Sequence, residues 1–208
     1  MEKLLSKIQQ SFSEGLPGWD AHQKMINYKR PKATDMEKID PTARKSAVLA
    51  LIYPKQDEAH IALMLRNTYN GTHSGQVSFP GGKREPSDKN LVETALREAR
   101  EELNIHPNDV QVIGELSKIY IPPSRFLVSP FLGFAKLRPD FRRDPHEVAQ
   151  LIEAPLRLIL GEAEIKEKPI YLEVAKTEIM VKYFDILGHT VWGATAMMLK
   201  EISELIQK

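Results

Sequence analysis

The chain has 208 residues, 42% of them apolar and 27% charged, which excludes a disordered or fibrous protein and suits one domain with a full core. Its 29 basic and 28 acidic side chains leave a net charge of +1. That balance provides no bulk attraction to nucleic acid or an anionic membrane, so an anionic partner must be held by a local site. The absence of cysteine removes disulfides, thiolate nucleophiles and cysteine zinc sites, and fits a reducing compartment.

In chain order, MEKLLSKIQQSF sets Leu4, Leu5 and Ile8 at helical spacing among charges and lacks the unbroken apolar segment of a signal peptide. An amphipathic helix in a cytoplasmic protein is expected. EGLPGWD and the Lys- and Pro-rich stretch to DPTARKS read as an extended arm, so residues 1–43 are expected to precede one domain at 44–208. Strands are expected at 46–53, 60–66 and 75–79; AVLALIY, at 47–53, is too short to span a bilayer and reads as a buried strand. A helix is predicted over about 89–103.

VQVIGELSKIYI and FLVSPFLGFAKL read as a strand pair around the turn at Pro122 and Pro123. HEVAQLIEAPLRLIL is expected to be a short helix capped by Asp144, with Pro145 at its first position. KPIYLE and IMVKYFDI read as strands, and an amphipathic helix is expected from Ala194 to Ile206. Without strict βαβ alternation, these elements point to an α/β protein of the α+β or mixed-sheet sandwich kind.

Chemistry concentrates in VSFPGGKREPSDKNLVETALREAREELNI. At helical pitch Val92, Leu96, Ala99 and Leu103 form an apolar stripe with Ala95 at its edge, and Glu98 and Glu102 lie to one side of it. Alone, REAREE reads as a wet face held by pairs worth roughly 0.2–0.5 kcal/mol each. Two like charges about 5 Å apart nevertheless repel by roughly 3 kcal/mol at an effective dielectric near 20. A hard divalent cation removes that repulsion, and magnesium takes few carboxylates together with substrate phosphates. Gly81 and Gly82, read alone as a turn, can also let a ligand approach the main chain.

Joined, these residues resemble the Nudix hydrolase box, G-x5-E-x7-R-E-U-x-E-E-x-G-U, with U a bulky apolar residue. Gly82, Arg97, Glu98, Glu101, Glu102 and Ile105 match it. Asp88 replaces the first glutamate, one extra residue precedes Arg97, Asn104 replaces the late glycine, and Ala99 is small for its place. The spacing is similar to that of the coenzyme A pyrophosphatase branch. LMLRNTYNGTHSGQVSFPGGK resembles the upstream signature of that branch through Arg66, His73, Gly75, Gln76, Phe79, Pro80, Gly81 and Gly82, departing at Asn67 and Gly71. DPHEVAQLIEAPLRLIL and VWGATAMML resemble its later segments.

The resemblance implies an α/β/α sandwich around a mixed sheet, with the box as a loop-helix-loop in a Nudix domain at 44–208. It implies Mg2+ or Mn2+ on Glu98 and Glu102, with Glu101 as a third ligand or helper and the Gly81 carbonyl as an additional ligand. Arg97 would pair with Glu101 and Asp88. The base would be a box glutamate or Glu147, which reads equally as a first-turn helix glutamate. Arg66, His73, Lys83 and Arg84 are candidate substrate contacts, each readable also as a solvated or structural residue. The implied substrate is a small molecule, coenzyme A or acyl-CoA, with ADP-ribose or another nucleoside diphosphate derivative as the rival. A Nudix-fold sensor without hydrolysis is the rival of another class, and a homodimer is left open.

Overall fold

The computed structural model describes residues 1–27, 32–35, 40–68, 75–160, 164–172 and 176–208. Strands β1 (Arg44–Lys55) and β2 (Glu58–Arg66) form a hairpin. Its two turn residues, Gln56 and Asp57, both take positive φ, matching the twist of tight hairpins. β3 (Val77–Ser78) and β4 (Gly81–Lys83) lead to α3 (Leu91–Leu103), which follows α1 (Glu2–Ser13) and α2 (Gly18–His22) in the numbering. β5 (Gln111–Glu115), β6 (Ile119–Ile121), β7 (Phe126–Phe134) and β8 (Val148–Pro155) complete an eight-stranded sheet.

The sheet path is β3-β2-β1-β7-β5, with β4 on β1, β6 on β7 and β8 on β2. Only β1 and β7 run parallel among these pairs, so the sheet is mixed. A smaller sheet, β11-β10-β9, consists of β9 (Ile165–Leu172), β10 (Thr177–Ile186) and β11 (His189–Trp192) and precedes α4 (Gly193–Gln207).

β1 explains the sandwich. Ala47, Leu49, Leu51 and Tyr53 join the core under α3, whereas Ala50 and Ile52 join the core under α4. A strand buried on both faces reads as an unbroken apolar run instead of an alternating one. The expected α/β/α layering is therefore observed.

Several local expectations are corrected. Residues 148–155 are a strand, not a helix: Val148, Ile152 and Ala154 are buried while the run pairs antiparallel with β2. Asp144 caps a turn, its Oδ1 accepting from the His146 N–H at 2.8 Å. The double glycine is strand β4 on β1, not a plain turn. The supposed arm contains α2 and a 3-10 turn at Gln23–Met25. Between Val110 and Ile121 two short strands replace one, and β11 was not anticipated. α4 is buried on most sides, because α1 and α2 cover the face turned away from the sheet.

Candidate functional site

The site is built around α3. Asn90 caps its start, its side chain accepting from the Glu93 N–H at 2.9 Å, while Glu93 reaches back to the Lys89 N–H at 2.8 Å. Asn104 ends it in a left-handed conformation, φ 59°, which Asn tolerates better than most residues. The buried stripe is rotated from the expected one: Ala95, Ala99 and Leu103 are fully buried, whereas Val92 and Leu96 are only partly so. Two alanines bring the helix close to the sheet. That rotation carries Glu102 inward, leaving it 1% exposed.

β4 receives the carboxylates. The Gly81 N–H donates to Glu102 Oε2 at 2.7 Å. Gly81 takes φ +154°, and a Cβ there would strike the Ala47 carbonyl and Val48. At Gly82 a Cβ would sit 2.5 Å from the carboxylate of Glu98. The second glycine is thus the space that Glu98 occupies.

Two arginines serve as counter-ions. Arg97 meets Asp88 through Nε and Nη2 at 3.0 and 3.1 Å, Glu98 at 2.9 Å, Glu101 at 3.0 Å and the Lys83 carbonyl at 3.1 Å. These hydrogen bonds hold the Asp88 carboxyl well below its ordinary range despite burial, helped by the Glu85 N–H and Thr94 hydroxyl. Arg66 Nη1 lies 3.2 Å from Glu102 Oε1. Burial pushes Glu102 up to about 8, against the opposing pull of Arg66 and the Gly81 N–H, with Glu98 and Glu147 adding like charge. Glu98 is raised as well, first by burial and then by Glu101 and Glu147.

Glu147 approaches from a turn ahead of β8, not from a helix, so no helix dipole acts on it. The turn is tied to the end of α3: the Asp144 N–H donates to the Glu102 carbonyl at 2.9 Å and the Arg142 N–H to that of Leu103 at 3.2 Å. Asn104 Nδ2 donates to the Asp140 carbonyl at 2.8 Å. On the other side Arg66, Asn67, Thr68, His146 and Glu147 line an open cleft of about 490 Å3.

The structure thus brings together Glu98, Glu102, Gly81, Arg97, Glu101 and Arg66, with Glu147 near enough to perturb the two inner carboxyls. Lys83 is exposed at the end of β4. Arg84 is turned to the carbonyls of Asp88 and Lys89 at 3.0 and 3.4 Å. His73 lies outside the described residues. Sequence reasoning set Arg66 apart only as a phosphate contact and missed its pairing with Glu102; a strand-end arginine gives no local signal of a partner 36 positions away.

A divalent cation passes the test of donor chemistry. Among the described residues no three His, Cys, Asp or Glu side chains already converge as a ligand set, and the acids are turned toward arginines. Yet Glu98 and Glu102 are hard oxygen donors, pressed toward neutrality by burial and by neighbouring acids, and both would gain from a cation beside them.

Comparison with known proteins shows the family to which the chain belongs. A family profile for the NUDIX domain matches residues 43–172. The uncharacterized Nudix hydrolase NudL of Photorhabdus laumondii is 33% identical over 173 residues, covering 82% of this chain and 89% of its own. NudL of Yersinia pestis is 32% identical over 165 residues, 79% and 81% of the two chains. A Nudix hydrolase from M. smegmatis, RenU, shares the fold with a TM-score of 0.56 at 15% identity, over 79% of this chain and 86% of that one. A domain match over more than half of the chain, and relatives aligned along most of their own length, establish that this protein belongs to the Nudix hydrolase family.

Proposed function

We propose that the protein is a metal-dependent pyrophosphohydrolase that splits coenzyme A or acyl-CoA into 3′,5′-ADP and a 4′-phosphopantetheine product. Nudix hydrolases generally need divalent metal ions. The observation that carries the reaction class is the half-buried Glu98 and the buried Glu102 together on α3, both raised by burial and by the charge of nearby Glu147, and backed by the two glycines of β4. The substrate rests on the signatures around Arg66, Gly75 to Gly82 and Trp192 to Ala196.

Glu98 and Glu102 would hold Mg2+ or Mn2+, with Glu101 and the Gly81 carbonyl completing the protein's share. When bound, such an ion supplies Lewis acidity toward the pyrophosphate and the attacking water. Arg97 fixes the rotamers of Glu98 and Glu101 while Asp88 fixes Arg97. Arg66 holds one oxygen of Glu102 and the Gly81 N–H holds the other, which fixes the orientation of this carboxyl. Glu147 takes the proton of a water that attacks one phosphorus in line, and the bond to the bridging oxygen breaks. No covalent enzyme intermediate is required.

The test is hydrolysis of coenzyme A, ADP-ribose and a nucleoside triphosphate with Mg2+ or Mn2+, products resolved by chromatography. Fastest release of 3′,5′-ADP from coenzyme A is expected. Faster cleavage of ADP-ribose would replace the substrate and keep the chemistry; no turnover of any of the three would favour a ligand-binding sensor.

A further inference from the structure

We propose that Asn67 is the positioning residue of Glu147, holding the turn that carries this carboxylate at a fixed place opposite α3. This rests on the hydrolase reading above, in which Glu147 is the base.

Glu147 belongs to no helix or strand; it sits exposed in the turn before β8. A carboxylate on an exposed turn has many rotamers and backbone positions, and restricting them costs conformational entropy that some contact must offset. Three hydrogen bonds from one residue provide that contact. Asn67 Nδ2 donates to the carbonyls of Pro145 and His146, both at 2.8 Å, and the Asn67 N–H donates to the Glu147 carbonyl at 3.0 Å. An amide nitrogen has two N–H groups, and both are used on successive peptide units. Serine or threonine would offer one donor, and aspartate none.

The placement of Asn67 gives these bonds a purpose beyond closing a loop. Its neighbour Arg66 pairs with Glu102 at 3.2 Å. The end of β2 therefore holds Glu102 with one residue and the Glu147 turn with the next, so one peptide bond sets the spacing between the two acids. A register shift between Leu65 and Arg66 in the β2–β8 ladder lies at the same point. Such irregularities re-aim side chains at the ends of strands. The opposite side of the turn is fixed to α3 through Asp144, so Asn67 is the second of two anchors.

The experiment is a double-mutant cycle in the full chain with Mg2+, on whichever of coenzyme A, ADP-ribose and a nucleoside triphosphate the wild type hydrolyses. Asn67→Ala should lower kcat about tenfold to a hundredfold, the scale of a misplaced catalytic group, with KM changed less than about twofold. In the Glu147→Gln background the same substitution should cost nothing further, because Asn67 acts only through Glu147. Amide exchange at Asn67 and His146 should quicken in Asn67→Ala while α3 stays protected. Asn67→Asp, equal in size but without the donors, is run beside it and should show the same dependence on Glu147, which guards against a packing defect of the alanine. Losses that multiply in the double variants, or an unchanged kcat in both single Asn67 variants, would overturn the proposal and leave the hydrolase reading standing. A full rate in Glu147→Gln overturns the proposal through its base. A wild type that cleaves neither coenzyme A nor ADP-ribose nor a nucleoside triphosphate overturns the hydrolase reading itself, and this proposal with it.

Discussion

Gly82 shows how one missing side chain can serve chemistry. Its φ is not in the left-handed region, so the backbone itself would accept alanine; the cost lies in the Glu98 carboxylate that a methyl would meet at 2.5 Å. Because that carboxylate ends a flexible side chain, Gly82→Ala should displace Glu98 and leave the fold in place. The expected result is a fall in kcat of about a hundredfold or more, similar to that of Glu98→Gln, with little change in melting temperature. Gly81→Ala, which would meet backbone atoms of β1 at a positive φ, should instead lower the melting temperature. Comparing the three variants by turnover and thermal melting separates room for a carboxylate from room for a strand. The residue types were legible in the sequence, because glycines and acids at fixed spacing are a pattern. Their distinct tasks were not, since Gly82 is explained only by Glu98, sixteen positions away along the chain and packed against it through β4.

At the scale of elements, α3 was legible through its apolar period, but its caps and its rotation were not. The apolar count favours Val92 and Leu96, whereas packing favours Ala95 and Ala99, whose small side chains let the helix approach β1 and β4. Asn104 closes the helix at φ 59° and tethers Asp140, so Asn104→Ala should cost about 1 kcal/mol in left-handed backbone strain alone, measured by denaturant unfolding, and somewhat more through the lost tether. β8 was misread for a physical reason. Asp144-Pro145 is a helix-start signal, and it was spent on a turn; Val148, Ile152 and Ala154 alternate only if β2 is already there to pair with them. β8 is also pinned through Glu153, which receives Tyr53 Oη at 2.9 Å, Lys55 Nζ at 3.0 Å and Arg138 Nε at 2.7 Å. Burial alone would raise this carboxyl, but those donors outweigh it and hold it at about 2, against 4.5 unperturbed. The stabilisation is therefore complete above pH 4.5 and is lost as the pH falls toward 2. Glu153→Gln should melt earlier than the wild type at neutral pH and level with it near pH 2; an equal gap at both ends would contradict this.

At the scale of the whole molecule, the first 27 residues are part of the core and not a loose arm. Ile8 and Met25 join the cluster under α4, and His22 Nε2 meets Glu201 at 2.8 Å with both side chains buried. Glu201 also accepts from the Ser117 N–H, and these partners hold its carboxyl below the ordinary value against the effect of burial. His22→Ala would leave a buried charge with one partner fewer and should cost about 3 kcal/mol of stability by denaturant unfolding. The pairing joins positions 179 apart, and neither residue shows any local sign of it. No described helix is long and apolar enough to cross a membrane.

The layered fold leaves the carboxylates of α3 near enough to the Glu147 turn to feel its charge, and metal dependence is what this arrangement most directly implies. The decisive measurement is turnover of coenzyme A and ADP-ribose by protein stripped with EDTA, before and after Mg2+ or Mn2+ is restored, in the wild type and in Glu98→Gln. The expected result is silence in the stripped protein, recovery in the wild type on adding the ion, and little recovery in the variant. Full turnover by the stripped wild type, or full recovery by Glu98→Gln, would contradict a metal centre on α3.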